Sequence, residues 1–321
     1  MKIKMMFNTV NNKNKLLSIS LILLTVLISC TNNGAERTKD PSKYDTPKKG
    51  RIYISVDETF KPVIDSQIKV YQVSFPETEI IAEYKSEAEC LRDLENDSTR
   101  MVIVTRGLTR EETKGFKEQL RFAPSWGLIA YDAMAVVLNK KSKLDYLSTA
   151  EIRSMLNGTA GGDYEIVMDG LSATSTVRYA IDSLLKGEKL GPKVVAAKSS
   201  EEVIDYVQKN ENAVGLVGVS WVGDKEDDQQ LKFLQTVKIA RIKCETCPEE
   251  EYVLPYQGNI ALGKYPFIRG IFYILKENFE GLGRGFVNFL IYERGQLVFK
   301  RAYLLPARME FQVRNMEVKE Q

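Results

Sequence analysis

Short apolar runs alternate with longer segments of helical periodicity along most of this chain. The apolar runs, rich in β-branched residues, lie at residues 51–55, 79–84, 101–105, 133–139 and 194–196. Runs of this kind between turn residues predict strands. Four of the intervening segments open with a serine or threonine followed three residues later by a glutamate, which is the pattern of a capping box at a helix start. These pairs are Ser86 with Glu89, Thr109 with Glu112, Ser148 with Glu151, and Ser199 with Glu202. Strands that alternate with capped helices predict an α/β fold with parallel sheets.

The carboxyl-terminal third shows weaker patterns. Residues 231–243 favour a pair of short strands, residues 279–295 have the spacing of a helix, and residues 303–309 are predicted to be extended. No internal repeat interrupts the pattern. The chain length of 321 residues allows two domains.

Residues 169–185 combine a helical pattern with a cluster of hydroxyl groups at its start. Ser172, Thr174, Ser175 and Thr176 stand where this helix must begin. A helix start carries free N–H groups and a partial positive charge, so small hydroxyl residues there usually cap it. The same donors also suit an oxyanion. Both interpretations, a helix cap and an anion site, remain open from this segment alone.

The composition is typical of a globular protein, with one unusual omission. Hydrophobic residues make up 44% and charged residues 27%, but the chain contains no histidine. The omission excludes Ser-His-Asp and Cys-His catalysis and every metal site built on histidine. The formal charge is +2, and without the four lysines of residues 1–29 the chain holds 41 basic and 43 acidic residues. This balance argues against a nucleic-acid partner.

The amino-terminal segment is predicted to be an export signal. Lysines precede an apolar run at residues 16–28, which is too short to span a bilayer as a mature helix. Residues 27–30 resemble the bacterial lipobox, in which cleavage leaves a lipid-modified cysteine at the new amino terminus. We therefore expect a signal peptide at residues 1–29 and a lipid anchor at Cys30. The polar residues 30–49 are predicted to be a flexible tether.

Seven segments, in chain order, share motifs with one known family. They are residues 105–112 (T-R-G-L-T-R-E-E), 131–139 (Y-D-A-M-A-V-V-L-N), 147–158 (L-S-T-A-E-I-R-S-M-L-N-G), 212–218 (N-A-V-G-L-V-G), 265–269 (Y-P-F-I-R), 285–290 with 295–296, and 304–306. Together they resemble the phosphate-binding proteins of phosphate ABC transporters. Each motif is weak by itself, but the resemblance covers residues 50–308 and keeps the family's order.

The resemblance implies an α/β fold of the two-lobed periplasmic binding protein type (type 2), with a ligand cleft between two α/β lobes. Residues 50–132 and 255–321 would form lobe 1, and residues 133–254 would form lobe 2. It also implies a monomer in the cell envelope, facing the periplasm or the cell exterior. Such a protein captures inorganic phosphate or a similar oxyanion and presents it to an ABC transporter permease in the membrane. This activity is binding without catalysis, and it requires no cofactor or metal.

The family holds its anion on three loops, and the first two match imperfectly here. The first loop, G-S-[ST]-T in the family, is matched by Val56 to Thr59 with Phe60 behind it, and only Thr59 is shared. Asp57 and Glu58 would repel a dianion unless one of them receives its proton; alternatively they favour the start of the following helix. The second loop lacks the family's glycines and retains Ser86.

The third loop, S-G-T in the family, is matched by Ser172, Ala173 and Thr174, with Ser175 following. Family members often carry an arginine four residues before that serine, where this chain has Met168. A guanidinium offers paired donors to phosphate. We expect Arg106, next to Thr105 at the end of the third strand, to supply it. We expect Arg178 to form an ion pair, although the opposite assignment of the two arginines stays open.

Two cysteines form a C-x-x-C motif at Cys244 and Cys247. A single such motif without histidine favours neither zinc nor thioredoxin-like chemistry. In an oxidising compartment we expect a disulfide that closes a local turn. Cys90 is predicted to be a small buried apolar residue on its helix.

A second hypothesis belongs to another functional class. Because the glycine loops are altered and Met168 replaces an arginine, the protein could instead be an envelope interaction protein that kept the binding-protein fold and lost tight phosphate binding. An enzyme is the third alternative, for which the sequence offers no catalytic cluster.

Overall fold

The computed structural model describes residues 45–96, 98–170, 173–224 and 226–308. The export signal, Cys30, the tether up to residue 44 and Ser172 lie outside the described residues. Among the described residues, no helix is both long enough and apolar enough to cross a membrane.

Strands and helices alternate from the first described residues to the last. The strands are β1 (Lys49–Asp57), β2 (Glu77–Lys85), β3 (Thr99–Val104), β4 (Ser125–Asn139), β5 (Tyr146–Leu147), β6 (Glu165–Met168), β7 (Val194–Ala196), β8 (Ala213–Gly218), β9 (Val237–Ile239), β10 (Arg241–Lys243), β11 (Tyr252–Val253), β12 (Ile268–Leu275) and β13 (Leu305–Pro306). The α-helices are α1 (Lys61–Ser74), α2 (Glu87–Asp93), α3 (Arg110–Leu120), α4 (Thr149–Leu156), α5 (Ser175–Tyr179), α6 (Ser200–Lys209), α7 (Asp228–Thr236), α8 (Gln257–Ala261), α9 (Leu282–Ile291) and α10 (Glu293–Arg301). Single 3-10 turns follow β1 at Glu58–Phe60 and β8 at Val219–Trp221, and a π turn at Ala180–Leu184 extends α5.

The main sheet is organised around β4. Its strand order is β2-β1-β3-β12-β4-β8-β6-β7, with β9 and β13 also paired to β4. The pairs on both sides of the sheet, β1 with β2 and β3, and β6 with β7 and β8, are parallel. The pairs of β4 with β12, β8, β9 and β13 are antiparallel. The predicted parallel α/β pattern therefore describes the two sides, while the centre is antiparallel.

Two successive halves of β4 face different partners. Residues 125–133 pair with β12, and residues 134–138 pair with β8. Residues 133–138 are fully buried, as expected for a strand covered on both faces. The strand begins at Ser125, well before the predicted start at residue 133.

Three of the four predicted capping boxes form, at the starts of α2, α3 and α4. At the start of α6, Ser199 Oγ accepts from Glu202 N, but the Glu202 carboxylate accepts from Lys198 N instead of Ser199 N. Glu112 N donates to Thr109 Oγ1 (3.1 Å), and Thr109 N donates to the Glu112 carboxylate (2.8 Å). Ser148 and Glu151 make the same reciprocal pair at the start of α4. Each box satisfies helix N–H groups that would otherwise lack an intrahelical acceptor.

Two carboxyl-terminal predictions were wrong in detail. Residues 231–243 are not simply a strand pair, because α7 occupies their first part and only β9 and β10 follow. Asp227 caps α7 by accepting from Gln229 N and Gln230 N. The single helix predicted over residues 279–295 is two helices, α9 and α10, separated by the extended residue Tyr292.

A small sheet of β11, β10 and β5 carries the cysteine motif at the end of β10. Cys244 and Cys247 form a disulfide there, with Cα atoms 5.6 Å apart. Cys244 is buried, and the pair closes the turn between β10 and β11. Cys90 on α2 is a free, fully buried cysteine.

Candidate functional site

The first predicted loop lies at the carboxyl end of β1, inside the protein. Asp57 caps the 3-10 turn that follows, because Thr59 N donates to Asp57 Oδ1 (3.0 Å). The Thr59 carbonyl accepts from Trp221 Nε1 (2.9 Å) and from Ser220 Oγ (3.3 Å) in the turn after β8. Thr59 and Phe60 are fully buried. These contacts hold the end of β1 against the end of β8, where loops from both sides of the sheet meet.

The carboxylate of Asp169, just after β6, accepts hydrogen bonds from hydroxyl groups of this region. Its Oδ1 accepts from Thr174 Oγ1 (3.1 Å), and its Oδ2 accepts from Thr176 Oγ1 (3.2 Å) and from Thr59 Oγ1 (3.3 Å). Thr59 Oγ1 also lies 3.5 Å from Ser175 Oγ. The structure thus brings Thr59 together with the hydroxyl cluster that precedes α5.

Arg269 and Asp132 form a buried ion pair beside these hydroxyls. They are register partners on β12 and β4. Arg269 Nε donates to Asp132 Oδ2 (2.8 Å), and Arg269 Nη1 donates to Ser175 Oγ (3.0 Å). The guanidinium carbon lies 5.2 Å from the centre of the Phe60 ring. A Cβ atom at Gly218 would lie 2.8 Å from Thr59 and 3.3 Å from Arg269 Nη2, so this close approach requires glycine.

Three polar atoms of this region have no hydrogen-bond partner among the described residues. They are Arg269 Nη2, Asp57 Oδ2 and Asp132 Oδ1. We call Asp57, Thr59, Asp132, Asp169, Ser175 and Arg269 the central cluster. A buried donor and buried acceptors left unpaired together are unusual in a native protein.

Burial raises the pKa values of the acidic residues in the central cluster. It raises the pKa of Asp57 to about 6, although the charge of Arg269 opposes the shift. Burial likewise raises the pKa of Asp132 and of Asp169 above their ordinary values, again against the charge of Arg269. Within the central cluster, burial therefore opposes ionisation of these acids and the charge of Arg269 favours it.

The side chain of Glu58 is not part of the central cluster and contacts α6 instead. Its carboxylate accepts from Ser200 N (3.1 Å to each oxygen) and from Ser200 Oγ (2.8 Å). Burial raises the pKa of Glu58 to about 7, although these bonds from Ser200 favour the charged form. Of the two acids in the first loop, Asp57 therefore caps its own turn and Glu58 joins the end of β1 to a helix of the other side of the sheet.

A second group of residues, Glu87, Thr105 and Arg178, forms what we call the arginine junction. The Glu87 carboxylate accepts from Thr105 N (2.9 Å), from Arg178 Nε (2.6 Å) and from Arg178 Nη2 (3.2 Å). Thr105 Oγ1 donates to the same carboxylate and accepts from Arg178. Burial alone would raise the pKa of Glu87, but the bonds from Arg178 and Thr105 hold that pKa below its ordinary value.

The side chain of Arg106 pairs with Glu112 in the first turn of α3. Its two Nη atoms donate to the two carboxylate oxygens of Glu112, each at 2.8 Å, and Nη1 also donates to the Gly107 carbonyl. The Arg106 guanidinium lowers the pKa of Glu112 to about 2. In this structure Arg106 is ion-paired with Glu112, and Arg178 lies on the boundary between two distant segments.

The remaining predicted residues cap helices or join backbone segments. Ser86 Oγ donates to Glu89 in the cap of α2 (2.6 Å), and Thr174 Oγ1 accepts from Val177 N (3.2 Å) in the cap of α5. The Ala173 carbonyl accepts from Ala88 N (3.0 Å). Ala173 has φ 71°, in the left-handed region that favours glycine, and glycine is the residue that the S-G-T motif carries at this position. Ser172 lies outside the described residues.

A cavity of about 380 Å³ opens beside the arginine junction. Among its lining residues are Glu87, Leu91, Arg106, Thr174, Arg178 and Asp182. Its walls therefore combine two guanidinium groups with apolar side chains. No group of three or more acidic or cysteine residues in the described part of the chain could hold a metal ion.

Sequence reasoning did not single out Glu87, Asp132, Asp169 or Arg269 as site residues. Two of them stand in segments whose motifs were recognised, Asp132 in residues 131–139 and Arg269 in residues 265–269. A charged residue inside an otherwise apolar strand was the available signal, because such a residue is rarely buried unless paired.

Comparison with known proteins supports one assignment of the fold. A model of the PBP superfamily domain matches residues 41–294. The curated phosphate-binding protein PstS of Borreliella burgdorferi is 20% identical over 301 residues, which cover 88% of this chain and 95% of that protein.

Two solved structures are similar over most of the chain. One, from Clostridium perfringens, is described as a phosphate ABC transporter substrate-binding protein with bound phosphate; it has a TM-score of 0.66 at 20% identity and covers 81% of this chain and 100% of its own. The other, an ABC-type phosphate transport receptor from Vibrio cholerae, has a TM-score of 0.57 at 18% identity, with 80% of this chain and 100% of its own covered. At these identities the likeness concerns the fold.

Proposed function

The chain belongs to the PBP superfamily, and from this premise we propose that it is a lipid-anchored, extracytoplasmic substrate-binding protein that captures inorganic phosphate or a similar oxyanion for an ABC-type permease. Its mixed α/β fold is that of type 2 periplasmic binding proteins. Relatives described as phosphate-binding proteins support the choice of ligand.

The arginine junction is the observation that carries the proposal. Arg178, the Thr105 N–H and the Thr105 hydroxyl converge on one carboxylate from segments more than 70 positions apart. Paired guanidinium donors with an amide and a hydroxyl are the groups that bind phosphate oxygens. In this structure they hold the anionic side chain of Glu87.

We place residues 50–132 and 255–321 in one lobe and residues 133–254 in the other. The pairing of β4 supports this boundary, since its partner changes from β12 to β8 between residues 133 and 134. The contacts of Thr59 with Asp169, of Glu58 with Ser200 and of Thr105 with Arg178 then join the lobes. The ligand enters between them, loses water and is held by these donors, so that the activity is binding and not catalysis.

The acids of the cleft give a reason to prefer phosphate over sulfate. At neutral pH phosphate still carries a proton, and a carboxylate such as Asp57 or Glu58 accepts a hydrogen bond from it. Sulfate has no proton to offer, so the carboxylate would face an oxygen lone pair. We expect binding of phosphate and strong rejection of sulfate.

Titration calorimetry with inorganic phosphate and with sulfate tests the proposal. Phosphate should bind, and Arg178→Gln should weaken it about tenfold to a hundredfold, because bonds to a charged ligand are lost. Arg153→Gln is the matched control, since Arg153 pairs with Glu188 at the surface and its loss should leave affinity unchanged. No heat with phosphate would contradict the proposal.

One observation favours the second candidate, an envelope interaction protein that no longer binds phosphate tightly. Each arginine of the region already has a carboxylate partner: Arg106 has Glu112, Arg178 has Glu87, and Arg269 has Asp132. Several further acids surround them. A folded protein that gives no heat with phosphate, sulfate or any other small oxyanion would support this candidate.

A further inference from the structure

Glu87 occupies the donors of the arginine junction as an external anion would. Both of its carboxylate oxygens are used: Oε1 accepts from Thr105 and from Arg178 Nη2, and Oε2 accepts from Arg178 Nε. The Glu87 side chain is only 4% exposed, while that of Arg178 is 41% exposed. The carboxylate is thus enclosed, and the guanidinium that holds it remains accessible from the cavity of about 380 Å³.

The junction also crosses the boundary that we propose between the lobes. Glu87 and Thr105 precede β4, whereas Arg178 follows β6. The backbone bond from Ala88 N to the Ala173 carbonyl lies directly beside it. One carboxylate therefore joins α2 and β3 to the segment of α5.

Resting on the proposed function, we propose that Glu87 is a tethered ligand of the anion site, which closes the cleft in the absence of phosphate and sets the affinity that phosphate can reach. A group fixed to the chain acts at a high effective concentration, in the millimolar range for a short flexible link and higher when preorganised. Inorganic phosphate must displace this carboxylate before it can use Arg178 and Thr105.

Calorimetry with inorganic phosphate on Glu87→Gln tests the displacement. Glutamine has nearly the same shape but binds the guanidinium more weakly, so phosphate affinity should rise about tenfold or more. Asp182→Asn is the matched control, because Asp182 lines the same cavity and lies 3.8 Å from Arg178 but holds no other donor of the junction. Asp182→Asn removes one negative charge, as Glu87→Gln does, but from a solvent-exposed ion pair. It should therefore change phosphate affinity by about twofold at most.

Equal gains in the two variants would show that local charge alone is responsible, and would overturn the proposal. An unchanged affinity in Glu87→Gln would overturn it as well. Melting midpoints confirm that each variant is folded.

Small-angle scattering separates this proposal from the proposed function. Without phosphate, Glu87→Gln and Arg178→Gln should both have a larger radius of gyration than the wild-type protein, because each loses the fastening across the cleft. Phosphate should restore the smaller value in Glu87→Gln only. If no form binds phosphate but both variants expand, Glu87 does fasten the two segments, but its role as a competitor of phosphate and the proposed function both fail. If Glu87→Gln is unfolded, an unchanged radius in Arg178→Gln overturns the tethered ligand.

Discussion

Burial of the two acids at the end of β1 links the stability of the protein to pH. Burial raises the pKa of Asp57 to about 6 and that of Glu58 to about 7. An acid whose pKa is higher in the folded chain binds more protons there, so the free energy of unfolding falls as pH rises from the unfolded to the folded pKa. We expect it to fall by on the order of 4 kcal/mol between about pH 5 and about pH 7.5, measured by urea denaturation at constant ionic strength.

Glu58→Gln should remove the part of this pH dependence that lies near pH 7, since glutamine does not titrate. Glu249→Gln, at an exposed position, should retain the wild-type slope. A wild-type protein that becomes more stable over the same pH range would show that the pKa values of Asp57 and Glu58 are not raised by folding.

The ion pair of Arg269 with Asp132 is predicted to be a major determinant of stability. The two side chains are 4% and 0% exposed. Asp132→Asn leaves the buried guanidinium without its direct counter-charge, which typically costs about 3–5 kcal/mol. Asp57 and Asp169 also act on Arg269 electrostatically, so we expect a loss of about 3 kcal/mol in urea denaturation.

A surface pair provides the comparison. Arg301 and Glu226 are each 71% exposed, and Glu226→Gln should change the free energy of unfolding by less than about 1 kcal/mol. Similar small effects in both variants would mean that Asp57 and Asp169 already neutralise Arg269.

At the level of single residues, local partners could be predicted and distant partners could not. The box of Thr109 with Glu112 was visible in the sequence, but the same Glu112 also binds Arg106 six residues earlier, and this second use was missed. The contact of Arg178 with Glu87 joins positions 91 residues apart. Only the folded sheet brings such positions together, so the sequence carries no local signal for it.

Among the elements, the disulfide between β10 and β11 is predicted to be a minor contribution to stability. In the chain-entropy model a loop of about four residues gains only about 2 kcal/mol from closure. Replacing Cys244 and Cys247 together by serine should therefore cost about 2 kcal/mol or less in urea denaturation, and phosphate affinity should not change. Phosphate affinity lost with the pair would place this turn in the binding mechanism.

The helices could be predicted best where a cap and a periodic pattern coincided. The starts of α2, α3, α4 and α6 each follow the predicted capping residue. The start of α7 was missed because its cap, Asp227, lies before the segment that was read as two strands. The first half of β4 was missed because residues 125–132 include glycine, tryptophan and aspartate, and are fixed as a strand by pairing with β12.

For the whole molecule, family motifs predicted the fold class better than any local pattern. Alternating strands and helices suggested parallel sheets, yet β4 is antiparallel to each of its partners in the main sheet. The long-range order of strands depends on contacts that propensity does not encode. The order of seven motifs carried that information instead, and the PBP superfamily match confirms it.

Attachment to the membrane is predicted to depend on Cys30. From Cys30 to Asp45, where the described chain begins, 15 residues can span at most about 50 Å when fully extended. Asp45 itself is fixed to the folded part, because Arg100 donates to its carboxylate and Leu282 N donates to Oδ1. A lipid on Cys30 would therefore keep Asp45 within about 50 Å of the membrane surface.

Mass spectrometry of the membrane-extracted protein should find a mature chain that begins at a lipid-modified Cys30. In Cys30→Ala the lipid acceptor is absent, so we expect unprocessed precursor and no lipidated product. Cys90→Ala is the matched control, since it removes the other cysteine that is outside the disulfide and should leave processing unchanged. Normal cleavage of Cys30→Ala at the same position would refute lipidation, because the cleavage expected here depends on the cysteine that follows the cut.

A lipid anchor also predicts that the soluble fraction gains the protein only when the chain is cut by a protease between Cys30 and Asp45. Release without such a cut would mean that the protein is held by a partner and not by its own amino terminus.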